Sequence, residues 1–181
     1  KVFVLILRLV LTAQQNPILV ERIGLDGPLH LVGTRAAAKS FERLADYAEE
    51  AANCAAELLE DGWSADEKLV EGLEKLVSLT DETCEATLST LGEGEIESAA
   101  EARSAFEEAK KVEERLNQHI FETEDDPKRL TTLNQLVSAL VESSKEAIDV
   151  AEVSANRALE SSSESFTIER GVGVGTGTEK G

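Results

Sequence analysis

RAAAKSFERLADYAEEAANCAAELLE, residues 35–60, is the stretch that decides the fold. Its apolar residues recur every three or four positions, which is the period of one face of an α-helix. They are Ala38, Phe41, Leu44, Ala45, Ala48, Ala51, Ala52, Ala55, Leu58 and Leu59. The many alanines indicate a close helix neighbour, because methyl groups let two backbones approach more nearly than leucine side chains do. Thr34 is the expected N-cap, and Asp61-Gly62 ends the helix.

Four further segments have the same helical period. The sequence predicts helices over 2–15, 65–91, 95–122 and 128–160, and no segment alternates as a strand would. Asn16-Pro17 stops the first helix, and Ser64 with Glu67 has the spacing of a capping box for the third. The connector 17–33 holds one short helical turn near Leu19, and the Ser- and Gly-rich stretch 161–181 is a disordered tail. The predicted fold class is all-α.

The second helix and the last one resemble each other at an offset of 99 residues. Phe41 then falls on Leu140, and Glu50 falls on Asp149. The alanines at 48, 52 and 56 fall on those at 147, 151 and 155. We therefore expect a duplicated three-helix unit, with a partial first repeat over 1–62 and a complete second repeat over 63–160. The first repeat lacks its opening helix, so the chain is expected to be truncated at its N-terminus.

The balance of acidic and basic residues indicates which partners the chain can bind and in which environment it works. Lys and Arg number 18 against 36 Asp and Glu, a formal net charge of -18. Such a chain repels nucleic-acid phosphates and anionic lipids, so we expect no direct nucleic-acid binding. An acidic surface stays hydrated in strong salt, which indicates a halophilic cytoplasm. The apolar run Val2–Val10 is too short to span a membrane and is predicted to be core.

The reactive side chains do not form a catalytic pattern. His30 and His119 have no Ser or Cys partner at a spacing that suggests an activated nucleophile, so we expect no enzyme activity. Cys54 and Cys84 lack metal-site spacing and are expected to be small buried side chains. Trp63 follows the second helix and is expected to pack between the two repeats.

The segment 38–52, AKSFERLADYAEEAA, resembles the characteristic helix of the PhoU family. The upstream segments 7–17 and 24–28 are similar to archaeal members that carry a long insertion before this helix. The resemblance implies PhoU-like tandem three-helix bundles that regulate phosphate uptake and phosphate signalling. The implied partners are a phosphate ABC transporter and a sensor kinase, with a homodimer as a further possibility. Some relatives carry an AbrB-like DNA-binding domain ahead of this part, where any DNA contact would reside.

The family's metal sites use acidic residues four apart on this helix, and Glu42, Asp46 and Glu50 keep that spacing. Residues four apart project from one helical face, so neighbouring carboxylates can share a cation. Oxygen ligands alone would suit Mg, Mn, Ca or ferric iron better than zinc. The second repeat has Val141, Lys145 and Asp149 at the equivalent positions. The alternative is a generic structural or signalling bundle whose acidic stripe binds no metal, because such rows are common in a chain this acidic.

Overall fold

The computed structural model describes residues 2–23 and 28–172, and these form helices without any strand. Their bounds are α1 Val2–Gln14, α2 Pro17–Arg22, α3 Pro28–Glu60, α4 Glu67–Glu93, α5 Ile96–Thr123 and α6 Pro127–Val172. The all-α prediction is confirmed for this part of the chain. No described helix combines the length and the apolar character that a bilayer crossing needs.

Polar side chains and glycine set several helix ends. The Asn16 side chain accepts a hydrogen bond from the backbone N–H of Leu19 at 3.4 Å and so caps α2. Asp66, rather than the predicted Ser64, caps α4, because its carboxylate accepts from the N–H of Leu69 at 2.9 Å. Gly94 ends α4 with φ 70, a left-handed conformation that glycine adopts without steric cost.

Two boundaries differ from the sequence prediction. Helix α3 begins at Pro28, so Thr34 lies inside the helix and is not its N-cap. Proline is well suited to the first turn of a helix, where its missing N–H has no partner to lose. Helix α6 continues to Val172, so the predicted tail is helical over 161–172, where no Gly or Pro occurs before Gly171. Residues 173–181 lie outside the described residues.

Helices α4, α5 and α6 pack into a three-helix bundle around an aliphatic core. Its buried side chains are Leu58, Leu69, Leu76, Leu79, Ala109, Val112, Leu116, Ile120, Leu133, Val137 and Val141. Leu58 comes from the end of α3, and Trp63 packs against the same core while its Nε1 donates to Glu124 Oε2 at 3.1 Å. Helices α4, α5 and α6 thus share one core, to which α3 contributes Leu58.

Hydroxyl groups lie at the contact between α4 and α6. Thr80 Oγ1 donates to the backbone oxygen of Leu140 at 3.3 Å, and Thr87 Oγ1 donates to that of Ala147 at 3.1 Å. Ser144 Oγ donates to Thr80 Oγ1 at 3.1 Å. Each of these hydroxyls also lies within hydrogen-bond distance of the carbonyl oxygen four residues earlier in its own helix. The contacts between the helices therefore mark the parallel register of α4 on α6 but are not needed to satisfy the hydroxyls.

Helix α3 runs antiparallel along α6. Arg43 contacts Glu146 near the middle, and Lys128 Nζ lies 3.0 Å from Glu57 Oε1 at one end. At the other end of the contact, a Cβ on Gly33 would lie 3.0 Å from Val153 Cγ1, so the two helices are close there. The two helices that the 99-residue offset relates are therefore direct neighbours, and they begin at Pro28 and Pro127, also 99 residues apart.

Helix α1 packs on α2 and on the first part of α3. Val10 and Ala13 are buried with Leu31, and Lys39 Nζ lies 5.3 Å above the Phe3 ring. Most of the Val2–Val10 run is nevertheless on the surface, with Val2 69% and Leu5 63% exposed. The prediction that this run is core is therefore wrong for most of its length, because no second helix covers its outer side among the residues that the structure describes.

Candidate functional site

The predicted metal ligands lie on the surface of α3. Glu42 accepts a hydrogen bond from Lys39 Nζ at 2.7 Å, whereas Asp46 and Glu50 are exposed and have no ion pair among the described residues. Positions four apart on a helix are separated by about 6 Å along its axis, so a single ion could join two neighbouring carboxylates but not all three. The described part of the chain holds no group of three or more His, Cys, Asp or Glu placed to share an ion. The metal site stays a prediction.

A glutamate of α6 near the positions equivalent to the predicted metal ligands has a structural role. The side chain of Glu146 is only 2% exposed, and its Oε1 lies 2.9 Å from Arg43 Nη1 across the α3–α6 contact. The Tyr47 hydroxyl, followed by Glu146, raises the pKa of Arg43. Next to it, Lys145 pairs with Glu142 at 3.0 Å. Glu146 is therefore a buried carboxylate paired with a half-exposed arginine, and no local pattern predicts the pair because the two residues are 103 positions apart.

The face of α3 turned away from α6 is apolar and uncovered. We call Phe41, Ala45, Ala48, Ala52 and Ala56 the outer face of α3; all five are exposed. They recur at spacings of three and four, so they lie on one side of the helix. A stripe of alanines flanked by Phe41 can receive another helix at close range.

The equivalent positions on α6 are covered. The 99-residue offset relates the outer face of α3 to Leu140, Ser144, Ala147, Ala151 and Ala155. Ser144 is 0% exposed, and Ala147 and Ala151 are each 1% exposed. Helix α4 covers this side of α6 through the hydroxyl contacts of Thr80 and Thr87. The outer face of α3 thus has the same pattern as a helix-binding face that is occupied elsewhere in the molecule.

A cavity of about 530 Å³ adjoins the outer face of α3. It lies between α1, α3, the end of α4 and α6, and Phe41 belongs both to its wall and to the outer face. Ile6, Ala37 and Val153 add apolar surface, and His30 and Arg157 supply nitrogen-bearing side chains. Among the described residues its lining contains no carboxylate, in contrast to the acidic composition of the chain.

The two cysteines lie within α3 and α4, and the second histidine lies within α5. Cys54 is buried, Cys84 is partly buried, and both are free thiols. Burial is the first cause that raises the pKa of each thiol, and nearby carboxylates add to it. His119 Nε2 lies 2.8 Å from Asp66 Oδ2, so this histidine belongs to the capped start of α4 and has no nucleophile beside it.

Known proteins give no match to this chain. A scan of protein-family models, a search of curated proteins and a search of solved structures each ended without a significant hit.

Proposed function

We propose that this chain is a regulatory interaction module of the PhoU-like type, which acts in phosphate uptake and phosphate signalling through protein–protein contacts. The observation that carries the proposal is the outer face of α3. Its five small or aromatic residues are exposed, whereas their equivalents on α6 accept α4. An amphipathic helix of a partner protein is the occupant that fits this face, since α4 is such a helix in the same relation to α6.

The proposed partners are a phosphate ABC transporter and a sensor kinase. The 38–52 resemblance supports this choice, and the 99-residue relation between α3 and α6 supports a PhoU-like tandem arrangement. The cavity beside Phe41 gives the docking face a recess into which a partner side chain can insert. A buried apolar anchor in such a recess is the usual centre of binding energy at a protein interface.

Binding of purified partners to the parent chain and to Ala48→Glu tests this proposal. The ATPase subunit of a phosphate transporter and the cytoplasmic part of a sensor kinase are the probes. We expect Ala48→Glu to weaken binding by at least about ten-fold, because it places a charge at the centre of an apolar contact. Ala100→Glu, at an exposed site on α5, is the matched control and should bind like the parent. Equal binding by both variants, or no binding by the parent, would contradict the proposal.

Cation binding at Glu42, Asp46 and Glu50 is a second part of the proposal. Calorimetric titration with Mg, Mn, Ca and ferric ions should give heat with the parent chain and less heat with Asp46→Ala. Asp149→Ala removes an equally exposed acid from α6 and serves as the control. Identical heats for parent and Asp46→Ala would favour the alternative, a bundle whose acidic stripe binds no metal.

A further inference from the structure

A groove of about 440 Å³ lies between α4 and α5, away from α3. Its α4 side is formed by Lys68, Glu71, Gly72 and Lys75, and its α5 side by Val112, Arg115, Leu116 and His119. Gly72 forms part of the floor. A Cβ at this position would lie 2.5 Å from Leu116 Cδ2, so the two helices approach closely where the groove is deepest.

The groove gathers cationic side chains in a chain that is otherwise acidic. Lys68, Lys75 and Arg115 face it, and Glu71 is the one carboxylate in its lining. This local excess of positive charge contrasts with the net charge of -18 for the whole chain. Grooves between helices are commonly apolar or mixed in charge. A cationic groove is unusual in a chain that has twice as many acidic as basic residues.

Lys68 and Lys75 are also the lysines that lack an ion pair in the described part of α4, α5 and α6. The other lysines there each contact a carboxylate: Lys110 with Glu107, Lys111 with Glu108, Lys128 with Glu57 and Lys145 with Glu142. With two acids for every base, a lysine readily finds a carboxylate nearby. Lys68 and Lys75 thus lie on one groove without a carboxylate at ion-pair distance among the described residues, and Glu108 acts on Lys75 only from further away, which leaves their charge available to a ligand.

The α5 side of the groove adds nitrogen donors that suit an anionic ligand. Arg115 is 70% exposed on its side chain, and its contact with Glu108 Oε1 is long, at 3.6 Å. Its Nε donates to the backbone oxygen of Lys111, one turn earlier on the same helix, at 3.1 Å. His119 lies at one end and is held there by Asp66. Planar guanidinium and ammonium groups together are the usual donors to phosphoryl oxygens.

We propose that this groove binds a linear polyphosphate group, either inorganic polyphosphate or the phosphate chain of a nucleotide. Lys68 and Lys75 are seven residues apart, about 10 Å along the axis of α4. An anion with two or three phosphoryl groups in a row can contact both lysines and Arg115, whereas a single phosphate is too short to do so from one position. Glu71 lies between the lysines in sequence and opposes the anion. The site does not depend on the partner contact at α3.

Calorimetric titration of the full chain with sodium tripolyphosphate at low ionic strength tests this inference. We expect measurable binding that weakens by about ten-fold in Lys68→Gln and in Lys75→Gln, since each removes one charge contact. Glu71→Gln should tighten binding, because it removes the opposing carboxylate. Lys110→Gln, a paired lysine outside the groove, is the matched control and should bind like the parent.

Two further measurements distinguish inorganic polyphosphate from a nucleotide, and a loss of binding from a loss of folding. ATP that binds no more tightly than tripolyphosphate identifies the inorganic chain as the recognised group, and tighter ATP binding identifies a nucleotide; both support the site. All four substituted residues are solvent-facing or partly so, and helical circular dichroism should be unchanged. No heat at millimolar tripolyphosphate, or heats that are the same in Lys68→Gln, Lys75→Gln and the parent, would overturn the inference. Tighter binding of a single-stranded oligonucleotide than of tripolyphosphate would also overturn it.

Discussion

Helices α3 and α6 have the same apolar pattern and the same starting proline, yet their surroundings differ. Helix α6 is enclosed by α3, α4 and α5, and Ala147 and Ala151 are each 1% exposed. Helix α3 contacts α6 and, over its first part, α1, so the equivalent Ala48 and Ala52 are exposed. The comparison teaches that an alanine stripe at helical spacing predicts a close helix contact but does not say whether the chain itself supplies the other helix.

The largest difference in the free energy of unfolding should come from a charge placed at equivalent positions on α3 and α6. Ala147→Glu buries a carboxylate without a partner and should lower the free energy of unfolding by about 4 kcal/mol or more. Ala48→Glu places the same group in water and should change it by no more than about 0.5 kcal/mol. Urea denaturation of both variants measures the difference. Similar losses in the two would mean that α3 is covered as α6 is.

Truncation of a core leucine and of a surface leucine should also change the free energy of unfolding unequally, but by a smaller difference than the two glutamate substitutions. Leu76 is 0% exposed in the core of α4, α5 and α6, and Leu76→Ala should cost about 2–5 kcal/mol through lost burial and a residual cavity. Leu59, near the end of α3, is 75% exposed, and Leu59→Ala should cost no more than about 0.5 kcal/mol. Thermal unfolding of both variants checks this. A Leu59→Ala loss as large as that of Leu76→Ala would show that the end of α3 is buried in solution.

The smallest expected effect on stability concerns the N-cap of α4, Asp66. The backbone N–H of Leu69, followed by His119, lowers the pKa of Asp66 below its usual range. A lowered folded-state pKa stabilises the fold above the unfolded-state value, about 3.9, and the contribution is lost as pH falls through the folded-state value. Asp66→Ala should therefore lower the urea midpoint at pH 7 but not at the lowest pH.

Asp125→Ala is the control for the cap, because Asp125 is exposed and makes no hydrogen bond among the described residues. It should leave the midpoint at pH 7 close to that of the parent. If Asp66→Ala lowers the urea midpoint by the same amount at all pH values, the assignment of the carboxylate as the cap is contradicted.

Local signals in the sequence predicted most of the helices. The Asn16-Pro17 break is predicted from residues whose backbone chemistry stops a helix, and α4 ends at Glu93, close to the predicted end at residue 91. The start of α3 was missed because Asp26-Gly27-Pro28 has the composition of a turn, although proline also suits a first helical turn. Ser64 and Asp66 are both good caps, and only the structure distinguishes them.

Contacts between distant segments could not be predicted in the same way. The Arg43–Glu146 ion pair and the α4–α5 groove depend on which helix faces are packed together, and periodicity gives the faces without their partners. The exposure of the outer face of α3 was missed for the same reason. Glu42, Asp46 and Glu50 could be placed on one helix from spacing alone, but a ligand set also needs groups from a second element.

Thiol labelling at equivalent positions tests the uncovered face of α3 most directly. In a background where Cys54→Ala and Cys84→Ala remove the native thiols, Ala48→Cys and Ala147→Cys each introduce one small side chain. We predict that the thiol of Ala48→Cys reacts as a free thiol does, whereas that of Ala147→Cys reacts more than about 100-fold more slowly, since it requires the bundle to open. Equal reaction rates at the two positions, measured in dilute protein, would contradict the account.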